Sequence, residues 1–176
     1  APSANRAGHV SPTKAAHVAA SLGGAVDMIL DGGPCRLGLE STVLDLSGAN
    51  PAILRPGGIA AEDLEPITGK LAQPADGGER PASPGMAMRH YATRIPLRTG
   101  ATDVRPGEAL LAFGPHQITG FAAQMNLSAA GDLTEAAANL FAMMRALDHA
   151  GHAGIAVMAV PEFGLGRAIN DRLSRA

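Results

Sequence analysis

The sequence predicts an α/β protein with a mostly parallel sheet in its second half. Between residues 96 and 176, apolar strand-like segments alternate with amphipathic helical ones, an order that requires crossover connections between parallel strands. Hydrophobic residues make up 46% of the 176, enough to build a packed core, so global disorder is not expected. The 22 Gly and 13 Pro residues predict many tight turns between short elements.

The first helix is expected directly after the opening polar segment. Ser11-Pro12 is typical of a helix start, with Ser at the N-cap and Pro at the first helical position. Apolar residues then follow at helical spacing, and Gly23-Gly24 ends the helix. A second, short helix is expected over 61–68, ended by Gly69.

Three short strands are expected between these helices, at 28–30, 42–46 and 52–55. Asn50-Pro51 provides a turn between the last two, which therefore predict a β-hairpin. The third strand ends where Pro56-Gly57-Gly58 begins.

Residues 70–95 are predicted to be a linker, because closely spaced Pro and Gly residues leave no room for a regular element. Loops of about 25 residues are uncommon inside compact domains and are usually functional or disordered. Composition alone indicates disorder, whereas the cluster from Met86 to Tyr91 predicts a segment that docks on the protein.

The second half is predicted to contain strands at 109–113, 124–127 and 155–160. Asp132 and Glu135 form a D-x-x-E capping box, which predicts a helix start. The apolar residues of that helix share one face, and they are Leu133, Ala136, Ala137, Leu140, Phe141, Met144 and Leu147. A last helix is expected after Gly164-x-Gly166.

The composition excludes several classes of function. A net charge of −2 argues against a broadly basic nucleic-acid surface, and the lack of Trp with a single Tyr argues against base stacking. The single Cys35 excludes an intrachain disulfide framework and a multi-Cys zinc site, and it fits a reducing compartment. Cys35 lies beside the cation Arg36, but no base partner is evident, so a nucleophilic role is not favoured.

The opening of the chain predicts a start inside a domain, because it lacks Met and a signal peptide and is a polar, motif-like segment. No apolar run reaches the roughly 18 residues that a membrane span needs.

Two further patterns have simple structural explanations. Gly164-x-Gly166 resembles half a dinucleotide-binding fingerprint, but Ile169 occupies the third glycine position, so a helix-start turn is favoured. His149 and His152 lack a third metal ligand, which favours a charge interaction at a helix C-terminus.

The opening segment contains candidates for binding an anion. Ser3 and Asn5 lie in a Pro-flanked turn, and Ser11 opens the predicted helix, whose free N–H groups and dipole favour negative charge. Hydroxyls, an amide and a helix start together suit a phosphate or a carboxylate. Ordinary turn chemistry with a helix cap explains these residues equally well.

Two strand ends supply further candidates. Ser41 precedes the second predicted strand, and Arg55 ends the third just before two glycines, where a ligand can approach the backbone. An Arg held there could pair with a phosphate through two parallel N–H groups. The alternative, favoured for a lone strand-end Arg, is a solvated side chain.

Taken in order, these segments are similar to the YrdC-like threonylcarbamoyl-AMP synthases. The opening APSANRAGHVSPT (1–13) resembles the family's S-x-N segment, and GLESTV (38–43) and LRPGG (54–58) resemble two further motifs. The stretch from SPGM to RHY (83–91) resembles the interdomain linker of the long, two-domain form. Residues 132–141 and 164–173 resemble its second domain, so the resemblance covers essentially all 176 residues.

The resemblance implies the formation of threonylcarbamoyl-AMP and pyrophosphate from L-threonine, bicarbonate and ATP, with Mg²⁺ sharing the neutralisation of the triphosphate. Partner proteins would then transfer the threonylcarbamoyl group to the adenosine next to the anticodon of tRNA. A cytoplasmic location and weak binding of double-stranded RNA by the catalytic domain are also implied. The alternative is a non-catalytic nucleotide-binding or interaction module.

The site residues implied by the resemblance fall into three groups: Ser3, Asn5, Ser11 and Arg55 for ATP; Ala1 and Ser41 for threonine; and His90 and Tyr91 of the linker, closing over the same cavity. None of them is expected to act by covalent catalysis or to hold a metal.

The expected organisation is the second half of a YrdC-like α/β catalytic domain (1–69), a linker (70–95) and a small three-layer α/β/α, Rossmann-like domain (96–176). The family's basic Lys/Arg-rich motif belongs to a first half that has no counterpart in these residues, so the 176 residues alone are expected to be inactive. Two residues depart from the family pattern. Ala7 replaces a usual Ser near the nucleotide, and Thr93 replaces a common Pro at the linker exit.

Overall fold

The computed structural model describes residues 3–72 and 90–176, which form four α-helices and six strands. In chain order the elements are α1 (Ala15–Leu22), β1 (Val43–Asp45), β2 (Ala52–Arg55), α2 (Ala61–Thr68), β3 (Leu97–Arg98), β4 (Glu108–Ala112), β5 (Gln124–Asn126), α3 (Leu133–Leu147), β6 (Gly154–Val157) and α4 (Leu165–Ser174). A 3-10 turn, Gly23–Ala25, follows α1. Most of the predicted linker lies outside the described residues, and the domain boundaries at 69/70 and 95/96 stay predictions.

A four-stranded parallel sheet with the order β3-β6-β4-β5 forms the centre of the second half. Ile155 of β6 lies opposite Leu97 of β3 on one side and Ala109 of β4 on the other. Strands β4 and β6 are buried along their whole length, as expected for strands with neighbours on both edges and cover on both faces. The predicted α/β class and the mostly parallel sheet are confirmed.

One face of this sheet packs against α3 and α4 and forms the larger core. The predicted apolar face of α3 is confirmed: six of its residues are buried, and Leu133 at the helix start is partly buried. The opposite face carries a smaller cluster that includes Leu110 and Ala156 and is covered by residues of connecting loops, among them Ile118 and Phe121. In the described part of this half, both helices therefore lie on one side of the sheet and loops form the third layer.

Helix α3 starts as the D-x-x-E pattern predicts, with one change in the hydrogen bonding. Asp132 Oδ1 accepts the backbone N–H of Glu135 over 2.8 Å. The side chain of Glu135 does not return to the Asp132 N–H, which instead donates to Ser128 Oγ over 3.0 Å. Ser128 is fully buried and in turn donates to Glu135 Oε2 over 2.5 Å, so a third residue completes the cap.

The hairpin and the short helix predicted in the first half are both present. Strands β1 and β2 pair antiparallel, with Val43 opposite Arg55 and Asp45 opposite Ala52. Helix α2 ends at Gly69, whose φ of 75° lies in the left-handed region that glycine adopts at little cost.

The strand predicted at 28–30 does not form, so that prediction is wrong. Met28 and Leu30 are 76% and 86% exposed. A strand needs a neighbour for its backbone N–H and C=O groups, and in residues 3–72 and 90–176 no strand lies beside this segment.

Helix α1 begins at Ala15 rather than at Ser11-Pro12, which corrects the predicted N-cap. The Ser11 hydroxyl is buried and donates to Glu40 Oε1 over 2.7 Å, so it does not cap the helix. The ring Nδ1 of His17 instead accepts the Thr13 backbone N–H over 3.1 Å. The predicted link between the Ser11 hydroxyl and a helix N-terminus is therefore wrong.

An arginine of α3 provides one of the links between the first half and the second. The Arg145 guanidinium donates to the carbonyl oxygens of Val10 and Ser11, the latter over 3.2 Å, and to Ser21 Oγ over 3.1 Å. This single side chain thereby holds both the segment before α1 and the end of α1 against α3.

Two further contacts bring the halves together. Glu62 of α2 pairs with Arg167 of α4 over 3.1 Å, on the surface. Gly38 lies so close to α3 that a Cβ atom there would be 2.6 Å from the carbonyl oxygen of Ala137. A side chain at position 38 would therefore push the two halves apart.

Candidate active site

A cavity of about 470 Å³ lies where the first half meets α3 and residues 90–91. It is lined by six of the residues that the sequence singled out: Ser3, Ser11, Ser41, Arg55, His90 and Tyr91. Leu37, Leu39 and Phe141 supply apolar wall. The structure thus brings together side chains from the opening segment, both strand ends and the segment that follows the predicted linker.

Arg55 is held against Ser41 at one side of the cavity. Its Nη2 donates to the Ser41 carbonyl oxygen over 2.9 Å and to Ser41 Oγ over 3.4 Å, and its Nε donates to the same carbonyl over 3.3 Å. The hairpin pairing of β1 with β2 places these two residues side by side. Arg55 is therefore a positioned cation at the cavity rather than a solvated strand end.

The glycines after Arg55 serve the backbone and not a ligand, contrary to the interpretation drawn from the sequence. A Cβ atom at Gly57 would lie 2.4 Å from the carbonyl oxygen of Glu40 and from Ser41 C. The Gly58 N–H donates to the same Glu40 oxygen over 3.0 Å. Gly57 is thus needed because the chain after β2 packs directly on the backbone that presents Ser41.

Glu40 is the acidic centre of the cavity wall. Its Oε1 accepts from Ser11 over 2.7 Å, and its Oε2 accepts from Arg172 Nε over 2.9 Å. Burial alone would favour the neutral acid, but the Ser11 hydrogen bond and the Arg172 charge outweigh it and hold the pKa of Glu40 below its ordinary value. Glu40 is therefore an ionised carboxylate that ties Ser11 to α4.

Arg172 of α4 is fully buried beneath this cavity. Besides Glu40 it donates to Asp171 Oδ2 over 2.6 Å, and its guanidinium carbon lies 5.2 Å from the centre of the Tyr91 ring. Its Nη2 nitrogen is buried and has no hydrogen-bond partner in the described parts of the chain. The C-terminal helix thus reaches the candidate site through one charged side chain.

Sequence reasoning missed Glu40 and Arg172 as site residues. The signal for Arg172 was present: it lies seven residues after Leu165 and three after Ile169, on the apolar face of α4. A charged residue on a buried helical face indicates a buried partner. That partner, Glu40, is 132 residues earlier in the chain, and no local pattern points to it.

Tyr91 has an unusual backbone and an apolar environment. Its φ is 65°, in the left-handed region that bulky residues rarely adopt, and only 1% of its surface is exposed. The ring stacks on Phe141 with centres 5.3 Å apart, and the His90 ring meets it edge-on at 4.2 Å. Burial raises the pKa of Tyr91 to about 12, so at neutral pH its hydroxyl keeps its proton.

His90 is also partly withdrawn from water. Burial, the largest cause, lowers the pKa of the ring, although Glu40 nearby acts in the opposite direction. The Nδ1 atom is buried without a hydrogen-bond partner among the residues the structure describes. A neutral imidazole beside a buried phenol favours an uncharged wall on this side of the cavity.

Asn5 does not line the cavity. Its side-chain amide donates to the carbonyl oxygens of Arg6 and His9, each over 3.0 Å, and so fixes the turn that carries Ser3. Ala1, the other predicted threonine contact, lies outside the described residues.

Cys35 lines the same cavity and is exposed, although the sequence did not favour a role for it. Its backbone N–H donates to the Thr13 carbonyl oxygen over 2.8 Å, which joins the wall formed by 35–41 to the segment before α1.

Metal-binding groups are absent from the part of the chain that the structure describes: no three of its His, Cys, Asp or Glu side chains are placed to hold an ion. His149 and His152 lie 5.9 Å apart at the end of α3, where His152 Nδ1 is 2.9 Å from the Leu147 carbonyl oxygen. That position agrees with a helix-terminal role rather than a metal site.

The cavity can bind an anion beside a small polar molecule. Arg55 supplies a guanidinium, and Ser41 and Ser3 supply hydroxyls, whereas the charge of the buried Arg172 is already paired with Glu40 and Asp171. Phosphate and carboxylate are the groups that such donors recognise.

Known protein families match this chain in two segments. Residues 59–176 match the family described as threonylcarbamoyl-AMP synthase, C-terminal domain, and residues 1–57 match a family described as telomere recombination. The threonylcarbamoyl-AMP synthase of Pyrococcus abyssi is 37% identical over 192 residues, and that of Bacillus subtilis is 35% identical over 201. Each match covers 100% of this chain and 56% of the relative, so the chain spans about half the length of these relatives.

Solved structures agree with the sequence matches. The crystal structure of P. abyssi Sua5 complexed with L-threonine is similar with a TM-score of 0.87 and 31% identity, covering 99% of this chain and 56% of that one. A variant of the same protein, with an adjacent His and Tyr both replaced by Ala, gives a TM-score of 0.86 at 29% identity, over 99% of this chain and 55% of the other. Because the first family model alone matches 118 of the 176 residues, the chain belongs to the threonylcarbamoyl-AMP synthase family that carries this C-terminal domain.

Proposed function

We propose that this chain serves L-threonylcarbamoyladenylate synthesis, in which L-threonine, bicarbonate and ATP give threonylcarbamoyl-AMP and pyrophosphate for the modification of tRNA. The relatives carry the name of that activity, and the P. abyssi structure holds L-threonine. The observation that carries the proposal is the cavity in which Arg55 and Ser41 lie side by side.

The reaction places limited demands on protein side chains. The threonine amine first combines with bicarbonate to give a carbamate and water, and a carbamate oxygen then attacks the α-phosphorus of ATP and displaces pyrophosphate. Both steps need alignment and neutralised charge more than a covalent enzyme intermediate. A triphosphate at Arg55 and a threonine at Ser41 would be adjacent, since the two side chains are 3.4 Å apart.

Ser3 and Ser11 would complete the nucleotide contacts from the opening segment, and Asn5 would act by shaping the turn that presents Ser3. The Ser11 hydroxyl donates its proton to Glu40, so the Ser11 oxygen can only accept a hydrogen bond from the nucleotide. Ala1 is proposed as a threonine contact through its backbone, as the family resemblance implies.

His90 and Tyr91 would cover the reacting groups and exclude water. They are the only His-Tyr pair in the sequence, and an adjacent His and Tyr are the residues replaced in the solved variant of the P. abyssi relative. A buried phenol that keeps its proton at neutral pH can donate a hydrogen bond without adding negative charge beside a triphosphate.

The described residues do not fit a protein-held Mg²⁺. Glu40, the carboxylate of the cavity wall, is already engaged by Ser11 and Arg172. Mg²⁺ is usually held by substrate phosphates and water with few protein ligands, so we assign it to the nucleotide that arrives and not to this chain.

Three further parts of the proposal rest on the family alone. The partners are the proteins that transfer the threonylcarbamoyl group to tRNA. The other two parts are weak binding of double-stranded RNA and a cytoplasmic location. The structure adds one observation of its own: none of the helices in the described segments is long and apolar enough to cross a membrane.

A non-catalytic nucleotide-binding or interaction module is the second candidate. It is compatible with the same cavity, because an anion can bind beside Arg55 and Ser41 without a reaction taking place. We expect the 176 residues alone to release no pyrophosphate above blank, because the basic motif expected in the family's first half is not among them.

The two candidates are separated by supplying the missing part. The completed chain, defined here as residues 1–176 preceded by the part of the B. subtilis relative that lies before its match, is incubated with ATP, L-threonine, bicarbonate and Mg²⁺. Threonine-dependent pyrophosphate release, with threonylcarbamoyl-AMP identified by mass spectrometry, is expected. A folded completed chain that binds ATP but forms no product would instead favour the non-catalytic module.

A further inference from the structure

A second cavity, of about 500 Å³, lies on the other side of the opening segment. It is bounded by residues 6–21, by 92–94 and by the last turn of α3, and no residue lines both it and the candidate active site. Six basic or imidazole side chains line it: Arg6, His9, Lys14, His17, Arg94 and Arg145. The chain as a whole has a net charge of −2, so this concentration of cations is local.

The cations of this cavity have no carboxylate partner within the described residues. Four other arginines of the second half are ion-paired, and they are Arg98, Arg167, Arg172 and Arg175. Arg6, Lys14, Arg94 and Arg145 form no such pair. Four cations that line one cavity with a single carboxylate, Asp148, repel one another, and an external anion would relieve that repulsion.

One acidic group, Asp148, also lines this cavity, and its single charge does not balance four cations. Asp148 Oδ1 accepts the backbone N–H groups of Arg94 and Ile95, over 2.8 and 3.1 Å, and thereby fixes the loop that carries Arg94. Its carboxylate positions one cation through the backbone while that cation's guanidinium remains available to the cavity.

The neighbouring positive charges change the pKa values of two groups in this cavity. Burial and then the charge of Arg94 lower the pKa of Arg145, although Asp148 acts in the opposite direction. Burial, followed by Arg145 and Lys14, lowers the pKa of His17. Arg145 is anchored by Val10, Ser11 and Ser21, so it cannot swing away from its neighbours.

We propose that this cavity binds a small multivalent phosphate, of the type of free pyrophosphate or the phosphate chain of a nucleotide. The guanidiniums of Arg94 and Arg145 and the ammonium of Lys14 lie on three different segments. They suit an anion with several oxygens, because each cation can bind a separate oxygen. The volume accommodates a short phosphate chain with water. This site is separate from the proposed function, and either one can fail without the other.

The test measures pyrophosphate binding to the 176-residue chain by isothermal titration calorimetry at low ionic strength. Lys14→Gln/Arg94→Gln removes two cavity cations that make no side-chain contact needed for folding. The matched control, Lys70→Gln/Arg105→Gln, removes the same residue types and the same charge from exposed positions outside the cavity. Arg55→Gln removes the cation of the candidate active site.

We expect the cavity variant to weaken one binding event by about 10- to 100-fold, and the charge-matched control to change it by less than about twofold. Amide chemical shifts in 6–21 and 142–148 should move on titration with pyrophosphate. ATP is the second probe: equal competition by ATP would assign the site to nucleotide phosphate chains, and none would assign it to free pyrophosphate.

Three results would overturn the proposal. The first is that the wild-type chain shows no pyrophosphate binding. The second is that the cavity variant and the charge-matched control lose affinity equally, which would indicate non-specific attraction. The third is that Arg55→Gln alone abolishes all binding, which would place the anion in the candidate active site. Circular dichroism confirms that each variant is folded.

Discussion

The two halves of this molecule are packed very differently. In the second half, β4 and β6 are buried along their whole length and α3 contributes six residues to the core. In the first half, α1 and α2 contain no buried residue, and five large apolar side chains are more than half exposed: Met28, Leu30, Leu46, Ile59 and Ile67. The second half therefore covers its own core, whereas the first depends on contacts made outside itself.

Those contacts are apolar as well as polar: Val10 and Leu39 belong to the same buried core as α3, and Leu37 packs against it. Arg145 and Arg172 join the halves through buried hydrogen bonds, and Glu62 with Arg167 adds an exposed pair. The candidate active site lies along this junction, so the weaker half carries most of the proposed substrate contacts and the stronger half holds them in place. Each prediction below acts on that division of roles.

Proteolysis should show the largest difference. We expect limited digestion to cleave first within 70–95 and then to degrade 1–69, while 96–176 persists, because the second half keeps its core after the contacts are lost. Mass spectrometry of the fragments over time is the measurement. A stable 1–69 fragment would contradict the comparison.

Replacing the buried link comes next. Arg172→Ala should lower the free energy of unfolding by about 3–5 kcal/mol, because it leaves Glu40 as a partly buried carboxylate without its cation. Arg167→Ala, which breaks the exposed pair with Glu62, should cost no more than about 1 kcal/mol. Urea unfolding measures both. Similar losses for the two variants would mean that the buried link is not special.

The cation of the weaker half should matter for rate rather than for folding. In the completed chain, Arg55→Ala should lower kcat/KM for ATP by roughly 30- to 1000-fold, which is the loss of about 2–4 kcal/mol of transition-state stabilisation. Arg55→Lys should recover only part of it, since an ammonium lacks the paired N–H groups. A change within about threefold, in a variant with an unaltered melting temperature, would make Arg55 a solvated strand end without a role in the reaction.

Tyr91, at the border of the halves, should give the smallest effect and the cleanest signal. The chain has one Tyr and no Trp, so near-ultraviolet absorbance reports the ionisation of this phenol alone. The midpoint of that titration should lie near pH 12 instead of 10. Because the unfolded phenol ionises first, the unfolding free energy should fall by up to about 2–3 kcal/mol as pH rises from 10 to 12. Tyr91→Phe should remove that part of the pH dependence, and a midpoint near 10 would show that Tyr91 is solvated.

Local patterns predicted the self-sufficient half better than the dependent one. The spacing of Leu140, Met144 and Leu147 and the capping residue Asp132 describe α3 correctly, because one helix face and one cap are properties of neighbouring residues. The apolar segment at 28–30 failed as a strand because a strand exists only with a partner, which single-segment reasoning does not supply.

The sequence predicted the hydrogen-bond donors that line the cavity, but not the residues that hold those donors in place. Ser41 and Arg55 follow from the hairpin, since pairing brings the two strand ends together. Ser11 lines the cavity, but its hydroxyl donates to Glu40 and does not cap a helix. Gly57 was taken as room for a ligand, because the sequence does not reveal that the backbone of Glu40 and Ser41 fills that room.

The long sequence separation of the links made by Arg145 and Arg172 has a consequence for biosynthesis. Their partners, Val10 and Glu40, leave the ribosome more than 130 residues before them. At about 5–20 residues per second, Val10, Leu37 and Leu39 wait roughly 7–26 s before α3 and α4 exist to pack against them. The buried packing of this segment is therefore completed only after α4 has been synthesised.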